Sequence, residues 1–288
     1  MATSQRTTPT LYLARPEGRI AYDDAGSGPL VIAVPSLGDM RQEYRFLTPQ
    51  LVEGGYRVVT MDLRGMGASS VKWSDYSAAA VGSDMLALIE ALDAGPAILI
   101  GTSMAAGAAA WAAAERPEFV SSIVMIGPSV RDVPIPAAQR VLYKVLLQRP
   151  WGALAWRSYY RSLYPAAAPA DLADYLDRLT ANLRDPGRFA VLQAMAWASK
   201  ADVEQRLNEV RAPVLVVMGS KDPDFKDPTA EARLVAERVR GDVVMIDGAG
   251  HYPHAEVPAA TAPHIVHFLQ RVSPSGPVQR APKAANAG

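Results

Sequence analysis

The chain has 288 residues, its 29 Lys and Arg residues balance its 29 Asp and Glu residues, and it contains no cysteine. A net charge of zero offers no basic footprint for nucleic acid or an anionic membrane, and the lack of cysteine excludes disulfides, thiol nucleophiles and thiolate metal sites. The N-terminus has no apolar signal segment, and the longest apolar run, Met104 to Ala114, is too short to span a bilayer. We therefore expect a cytoplasmic protein that binds neither nucleic acid nor membranes.

The first half of the chain alternates between strand and helix patterns. A turn signal at 16–18 joins the first two predicted strands, and the apolar segment at 30–34 is typical of a strand buried on both faces. The predicted strands cover residues 11–14, 19–23, 30–34, 56–61, 97–100 and 122–126, and the predicted helices cover 44–52, 77–92 and a segment from residue 104 to just before Pro117. This alternation indicates an α/β fold with a mostly parallel, twisted sheet and helices on both faces.

The alternation stops between residues 131 and 207, where helical periodicity and prolines replace strand patterns. Aromatic residues are concentrated there, and the relevant ones are Trp151, Trp156, Tyr159, Tyr160, Tyr164, Tyr175, Phe189 and Trp197. We expect most of these rings to pack the segment's own core and two or three to face a substrate.

The strand and helix patterns resume near the C-terminus. The predicted strands are 213–218 and 243–247, and the predicted helices are 227–240 and 258–272. The sequence therefore predicts a core formed by residues 1–130 and 208–272, a helical insertion at 131–207, and a flexible tail at 273–288.

Ser103 lies at a tight turn between an apolar strand and an alanine-rich helix. Such a turn lifts the hydroxyl out of the backbone, and the helix N-terminus behind it presents free N–H groups to a developing oxyanion. Ser103 is therefore a candidate nucleophile. The alternative is a serine that only caps an ordinary helix.

Only four histidines are available as a general base, and all lie near the C-terminus. His251 follows a predicted strand end, where sheets of this class place their ligands, and His254 is its competitor in the same loop. His264 and His267 fall on the last predicted helix, where surface or packing roles are expected. A metal site formed by these two lacks an indicated third ligand.

A neutral imidazole that acts as a base needs an acceptor on its second nitrogen, usually a carboxylate. Asp222 follows the predicted strand 213–218 and is the first candidate. Asp224 lies two residues further on and is the second, and Asp132, after the strand that precedes the insertion, is the third. The order Ser103, Asp222, His251, each at a strand end, favours the first.

Four segments resemble motifs of the α/β-hydrolase superfamily. They are Gly101-Thr102-Ser103-Met104-Ala105 for G-x-S-x-G, Gly219 to Asp222 for G-x-x-D, Gly248 to Pro258 for G-x-G-H-x-x-x-x-E-x-P, and Asp62 to Ser69 for D-x-R-G-x-G-x-S. The second glycine of the first motif is replaced by Ala105. The resemblance implies that Ser103, His251 and Asp222 form a catalytic triad and that residues 131–207 form a helical cap over an apolar pocket.

The resemblance also implies an oxyanion hole and a pair of bracing residues. The backbone N–H groups of Met104 and Leu37 would hold the oxyanion, although Pro35-Ser36 replaces the His-Gly found in many relatives. Asp62 and Arg64 would brace loops beneath the site.

These residues together predict a serine hydrolase that cleaves a carboxylic ester or a related acyl compound, without a metal or organic cofactor. The substrate is expected to be a small apolar molecule. The same triad also serves C–C bond hydrolases, thioesterases, acyltransferases and cofactor-free perhydrolases, whereas dehalogenases and epoxide hydrolases use aspartate at the position of Ser103. A binding protein that kept the fold as a receptor or carrier is the alternative from another class. The sequence leaves the oligomeric state open.

Overall fold

The computed structural model describes residues 9–134 and 136–272, so the predicted tail at 273–288 lies outside the described residues. Eight strands form one twisted sheet in the order β1-β2-β4-β3-β5-β6-β7-β8. The strands are β1 (Leu11–Arg15), β2 (Gly18–Gly26), β3 (Leu30–Val34), β4 (Arg57–Met61), β5 (Ala97–Thr102), β6 (Val120–Ile126), β7 (Val214–Gly219) and β8 (Asp242–Ile246). β2 pairs antiparallel with β1 and β4, and every other pairing is parallel. The predicted α/β fold is confirmed.

Helices cover both faces of this sheet. They are α1 (Leu47–Glu53), α2 (Ala78–Leu92), α3 (Met104–Glu115), α4 (Ala137–Leu146), α5 (Gly152–Ser162), α6 (Leu172–Arg184), α7 (Arg188–Trp197), α8 (Ala201–Arg206), α9 (Pro228–Val239), α10 (Pro253–Glu256) and α11 (Pro258–Val272). The prediction of one helix over 44–52 was wrong, because a 3-10 helix at Arg41–Arg45 precedes α1. Pro49 explains this break, because it has no N–H to donate to the carbonyl of Arg45. The α-helical hydrogen bonds therefore do not continue from α1 back to Arg45.

The central strands alternate their side chains between two apolar layers. Ile32 and Leu99 pack in the layer that includes α2 and α3, whereas Val31 and Ile98 pack in the layer that includes α1 and α11. All residues of β3 and β5 are buried, as a sheet covered on both faces requires. This rigid sheet fixes the loops that leave its C-terminal edge.

The helical insertion, the segment between β6 and β7, carries α4 to α8 and has no strand among its described residues. The predicted aromatic rings divide into two groups there. Trp156, Tyr160, Tyr164, Tyr175 and Phe189 are buried, whereas Trp151, Tyr159 and Trp197 are exposed. In the described ranges, no helix combines the length and apolarity that a membrane crossing needs.

Candidate active site

Ser103 lies at a strained turn between β5 and α3. Its φ of 56° and ψ of −117° are rare for a residue with a side chain and cost about 1–3 kcal/mol. A Cβ at Gly101 would lie 2.3 Å from the carbonyl oxygen of Ala105, which explains the glycine two residues before the serine. Ala105 itself fits in the core without exposed surface. The turn therefore presents the Ser103 hydroxyl at the edge of the sheet.

The end of β6 brings this turn next to the histidine loop. The Ser103 N–H donates to the carbonyl of Ile126 at 2.8 Å. Gly127 follows with a φ of +50°, and a Cβ there would lie 3.0 Å from His251 Nδ1 and 3.2 Å from Asp222 Oδ2. The end of β6 thus lies next to the Ser103 turn and next to the His251–Asp222 pair, and Gly127 leaves room for the imidazole.

His251 and Asp222 form a buried, hydrogen-bonded pair. Nδ1 of His251 lies 2.7 Å from Asp222 Oδ2, and both side chains are almost inaccessible to solvent. Burial disfavours the charged ring, but the charges of Asp222 and Asp224 and the hydrogen bond to Asp222 outweigh it and raise the pKa of His251 to about 9. The pair therefore fixes the ring orientation and favours a proton on the imidazole.

The other ring nitrogen of His251 faces a second carboxylate. Nε2 lies 3.7 Å from Asp224 Oδ2, and the Tyr159 hydroxyl of α5 donates to Asp224 Oδ1 at 2.5 Å. Within the described residues, the Ser103 hydroxyl makes no hydrogen bond, so it is not engaged with His251 in this conformation. Asp132, the third candidate acid, instead accepts hydrogen bonds from Ser199 and Lys200.

Asp222, Asp224 and His251 are also the set that could hold a metal ion in the described part of the chain. Their ligand atoms lie within 4.8 Å of one another. A metal on Nδ1 would have to displace the 2.7 Å hydrogen bond to Asp222, which leaves Nε2 as the ring nitrogen accessible to a ligand. The predicted absence of a metal remains a prediction.

The loop after β3 carries the predicted oxyanion donor Leu37. Its backbone N–H makes no hydrogen bond to a described residue, and the N–H of Met104, as the first residue of α3, has no intrahelical acceptor. Two hydrogen bonds of Ser36 fix this loop. Its N–H donates to Glu43 Oε2 at 2.7 Å, and its hydroxyl lies 2.5 Å from that of Tyr252.

A buried polar cluster lies behind this loop, and we call Asp39, Glu43, His254, Tyr160 and Tyr175 the His254 cluster. The hydroxyl of Tyr160 donates to Asp39 at 2.5 Å, and that of Tyr175 donates to the other oxygen. His254 Nε2 lies 3.2 Å from Glu43 Oε1, although the alignment is too poor for a hydrogen bond. Sequence motifs do not reveal this cluster, because its members lie far apart in the chain.

Burial dominates the proton equilibria of the His254 cluster. It raises the pKa of Asp39, together with the nearby charge of Glu43, and it raises the pKa of Glu43. It lowers the pKa of His254 to about 3, so this ring is neutral near pH 7. His254 is therefore a buried neutral ring stacked on Tyr44 at 5.1 Å, behind the loop that carries His251.

Backbone contacts tie the helical insertion to the histidine loop. The His251 N–H donates to the carbonyl of Leu163 at 3.0 Å. The carboxylate of Glu256, the acidic residue of the last motif, accepts from the N–H groups of Gly250 and Ala166, each at 2.6 Å. The insertion therefore helps to position His251.

The two residues implied to brace the site make different contacts. Asp62 accepts from the backbone and the side chain of Arg41, at 2.8 and 2.5 Å, and so fixes the segment after the Leu37 loop. Arg64 instead binds Asp84 of α2 through two hydrogen bonds of 2.8 and 2.9 Å.

The site is closed in this conformation. Ser103 is 8% exposed and His251 is 2% exposed. Two surface cavities, of about 380 and 400 Å³, lie elsewhere: Arg64, Trp73 and Trp111 line the first, and Pro117 and Arg240 line part of the second. Ser103 and His251 therefore have little surface open to solvent, and the predicted apolar pocket remains a prediction.

Comparisons with known proteins agree with this architecture. A 2-(acetamidomethylene)succinate hydrolase from Mesorhizobium japonicum is 28% identical over 264 residues, which cover 88% of this chain and 92% of that protein. A 3-oxoadipate enol-lactonase 2 from Acinetobacter baylyi is 26% identical over 207 residues, or 71% of this chain and 75% of that one. The crystal structure of a bromoperoxidase from Bacillus anthracis, 22% identical, shares the fold with a TM-score of 0.79 over 91% of this chain and 99% of that one.

The model of the Alpha/beta hydrolase family matches residues 31–264, which include the predicted nucleophile, acid and base. Because this match spans most of the chain, the chain belongs to the α/β hydrolase family.

Proposed function

We propose that this chain is a serine hydrolase that cleaves a carboxylic ester or a related acyl compound through an acyl-enzyme on Ser103. The observation that carries the proposal is the 2.7 Å contact between Asp222 and His251 Nδ1. It orients the imidazole at the sheet edge where the strained turn presents Ser103, and it stabilises the ring when the ring is charged.

The proton and the bonds would move as follows. Nε2 of His251 takes the hydroxyl proton of Ser103 while Oγ forms a bond to the carbonyl carbon, and the N–H groups of Leu37 and Met104 bind the resulting oxyanion. The imidazolium then gives its proton to the leaving alcohol as the ester bond breaks. Water, deprotonated by the same nitrogen, attacks the acyl-enzyme, and the acid leaves with Ser103 restored.

These reaction steps require Nε2 of His251 to face the Ser103 hydroxyl instead of Asp224. Its Nε2 now faces Asp224, and the serine hydroxyl makes no hydrogen bond with the described residues. Hydrogen bonds of this kind often become short only when the substrate is bound. Rotation of the Ser103 side chain, or a shift of the ring along its contact with Asp222, would bring the two groups together.

The name of one relative supports an ester as the substrate class, and the name of another supports a related acyl compound. The Acinetobacter protein is named a lactonase, and a lactone is a cyclic ester. The Mesorhizobium protein is named a hydrolase of a succinate derivative. Because the carbonyl of Leu163 in the helical insertion accepts the His251 N–H, we infer that this insertion acts as a cap, and from the low exposure of Ser103 that the acyl group is small.

The test compares Ser103→Ala with the unsubstituted chain on short p-nitrophenyl esters. We expect kcat/KM to fall by at least about 10³-fold, as it does when a nucleophile of this kind is removed. Ser158→Ala, at an exposed serine of α5, is the matched control and should retain full activity. Ser103→Gly should be equally inactive yet more stable by about 1–3 kcal/mol, because glycine relieves the strained turn.

Labelling with a fluorophosphonate gives a second readout. The probe should modify Ser103 and leave Ser103→Ala unlabelled. Equal hydrolysis by the two proteins would remove Ser103 as the nucleophile and contradict the proposal, whereas no hydrolysis by the unsubstituted chain would favour a binding protein that retains the fold.

A further inference from the structure

Trp156 of α5 carries a buried N–H group that has no acceptor. The residue is 7% exposed, and its Nε1 makes no hydrogen bond with a described residue. Trp73 is also buried, but its indole N–H donates to the carbonyl of Ser70 at 2.6 Å. An indole N–H can only donate, and an unpaired donor away from water destabilises the fold. A phenylalanine would carry no such donor, so the N–H of Trp156 requires an explanation.

The edge of the indole that carries this N–H packs on the loop after β3. A Cβ placed at Gly38 would lie 2.9 Å from Cζ2 and 3.1 Å from Cε2 of Trp156, and Cε2 is bonded to Nε1. Gly38 directly follows Leu37, the predicted oxyanion donor. The unpaired indole N–H therefore lies beside the loop that would bind the oxyanion.

The same ring contacts a residue on the histidine side of the site. The ring centres of Trp156 and Tyr159 are 5.2 Å apart, and the Tyr159 hydroxyl donates to Asp224. Asp224 in turn lies 3.7 Å from Nε2 of His251. Trp156 is thus connected by contacts to both sides of the proposed reaction centre, the oxyanion loop and the catalytic base.

The surroundings of the N–H favour an uncharged acceptor. Leu192 of α7 is fully buried and packs at the same point, with Cδ1 2.5 Å from the Cβ position at Gly38. One neutral donor beside an apolar side chain can satisfy a carbonyl, ether or hydroxyl oxygen, but it does not offset the burial of a carboxylate. The oxyanion of the proposed reaction already has two backbone donors, at Leu37 and Met104, so Trp156 is available to another oxygen.

We propose that the Trp156 N–H is a substrate-binding donor that selects acyl compounds with a second, uncharged oxygen besides the scissile carbonyl. The proposal rests on the hydrolase function proposed above, and it refines the expectation of an apolar substrate. A substrate with such an oxygen pairs the N–H. Its hydrocarbon analogue leaves the N–H buried without a partner and therefore binds less tightly.

The first test measures binding to the full chain carrying Ser103→Ala, which removes the proposed nucleophile. The probes are methyl 3-oxopentanoate and methyl 4-oxopentanoate, compared with methyl pentanoate, and the readout is the assigned indole ¹H–¹⁵N signal of Trp156. At least one oxo ester should bind about fivefold more tightly than methyl pentanoate, as expected for one hydrogen bond, and should move this signal downfield. Methyl pentanoate should leave the signal near its position in the free protein.

The second test is hydrolysis of the same three esters by the chain that retains Ser103. In Trp156→Phe, kcat/KM for the preferred oxo ester should fall about fivefold, whereas kcat/KM for methyl pentanoate should change by less than about twofold. Trp197→Phe, at an exposed indole of α7, is the matched control and should leave all three values unchanged. Circular dichroism and thermal unfolding check that both variants are folded, and the binding test does not require Trp156 to be replaced.

Absent or equal binding of the three esters, or an unchanged Trp156 signal with every ester, would overturn the proposal. A uniform loss of kcat/KM for all three esters in Trp156→Phe would also overturn it, because the N–H would then bind the oxyanion itself. Tighter binding of monomethyl succinate than of the oxo esters would overturn it in favour of a carboxylate acceptor. The binding test is made without Ser103, so failure of the hydrolase proposal, seen as equal hydrolysis by Ser103→Ala, is distinct from these outcomes.

Discussion

Two buried histidines, three residues apart in the chain, have opposite environments. His251 lies 2.7 Å from Asp222, and this charge, with that of Asp224, outweighs burial and raises its pKa to about 9. His254 lies behind the Leu37 loop, where burial lowers its pKa to about 3. Burial alone therefore does not define the chemistry of a histidine; a well-aligned carboxylate does.

The carboxylates next to the two histidines also differ in their hydrogen bonds. Asp222 hydrogen-bonds its histidine, whereas Glu43 makes no hydrogen bond with His254 and instead accepts from the Ser36 N–H at 2.7 Å. The first arrangement is suited to moving a proton, and the second to supporting a loop.

The largest effect is expected for Asp222→Asn. An asparagine keeps the shape but loses the charge that orients and stabilises the imidazolium, so kcat should fall by about 10³- to 10⁴-fold. Glu43→Gln is the matched control in the other environment. Because burial raises the pKa of Glu43, glutamine resembles its uncharged form, and ester hydrolysis should fall by less than about tenfold. A larger loss in Asp224→Asn than in Asp222→Asn would move the role of the acid to Asp224.

The second prediction concerns stability against pH. An unfolded histidine has a pKa of about 6.5, so between about pH 6.5 and 3 the unfolded chain binds one more proton at His254 than the folded chain does. His254 therefore lowers the free energy of unfolding as the pH falls, by up to about 1.4 kcal/mol per pH unit. His251 has the opposite sign: its contribution is complete below about pH 6.5 and is lost as the pH rises towards 9.

The measurement is the free energy of unfolding from pH 7 to about pH 4.5 for the unsubstituted chain and for His254→Asn. The variant should lose less stability on acidification. The raised pKa values of Asp39 and Glu43 change the free energy of unfolding in the opposite direction. The result is therefore the difference in slope between the two proteins. His264→Asn, at an exposed histidine of α11, should keep the original slope. Parallel slopes in His254→Asn and the unsubstituted chain would mean that His254 titrates normally in the folded state.

Local sequence patterns predicted the parts of the molecule that depend on neighbours along the chain. The strand at 30–34 was predicted with the bounds it has, because a continuous apolar run is typical of a strand covered on both faces. The motif around Ser103 predicted a turn that the backbone of Gly101 and Ser103 makes. The candidate nucleophile, acid and base lie at the same sheet edge because each follows a parallel strand.

Contacts between distant segments could not be predicted in this way. Asp39 binds Tyr160 and Tyr175, which lie 121 and 136 residues away, and no local pattern pairs them. The periodicity of α4 is equally typical of a helix packed on a core, so the sequence did not indicate that its apolar side faces solvent. The sequence indicated Asp224 only as a substitute for Asp222. Loop residues two positions apart have no fixed relative orientation, so its position near His251 Nε2 could not be predicted.

The smallest effect is expected for that second carboxylate. The negative charge of Asp224 lies 3.7 Å from His251 Nε2 and favours the protonated ring, which is inactive as a base. In Asp224→Asn the acid limb of kcat/KM, which reports the free enzyme, should shift to lower pH by about 0.5 to 1 unit, with partial exposure of Asp224 keeping the shift small. Asp132→Asn, at a carboxylate bound to Ser199 and Lys200, should leave the limb unchanged. A shift to higher pH in Asp224→Asn would mean that Asp224 does not stabilise the imidazolium, and His251 would then owe its raised pKa to Asp222.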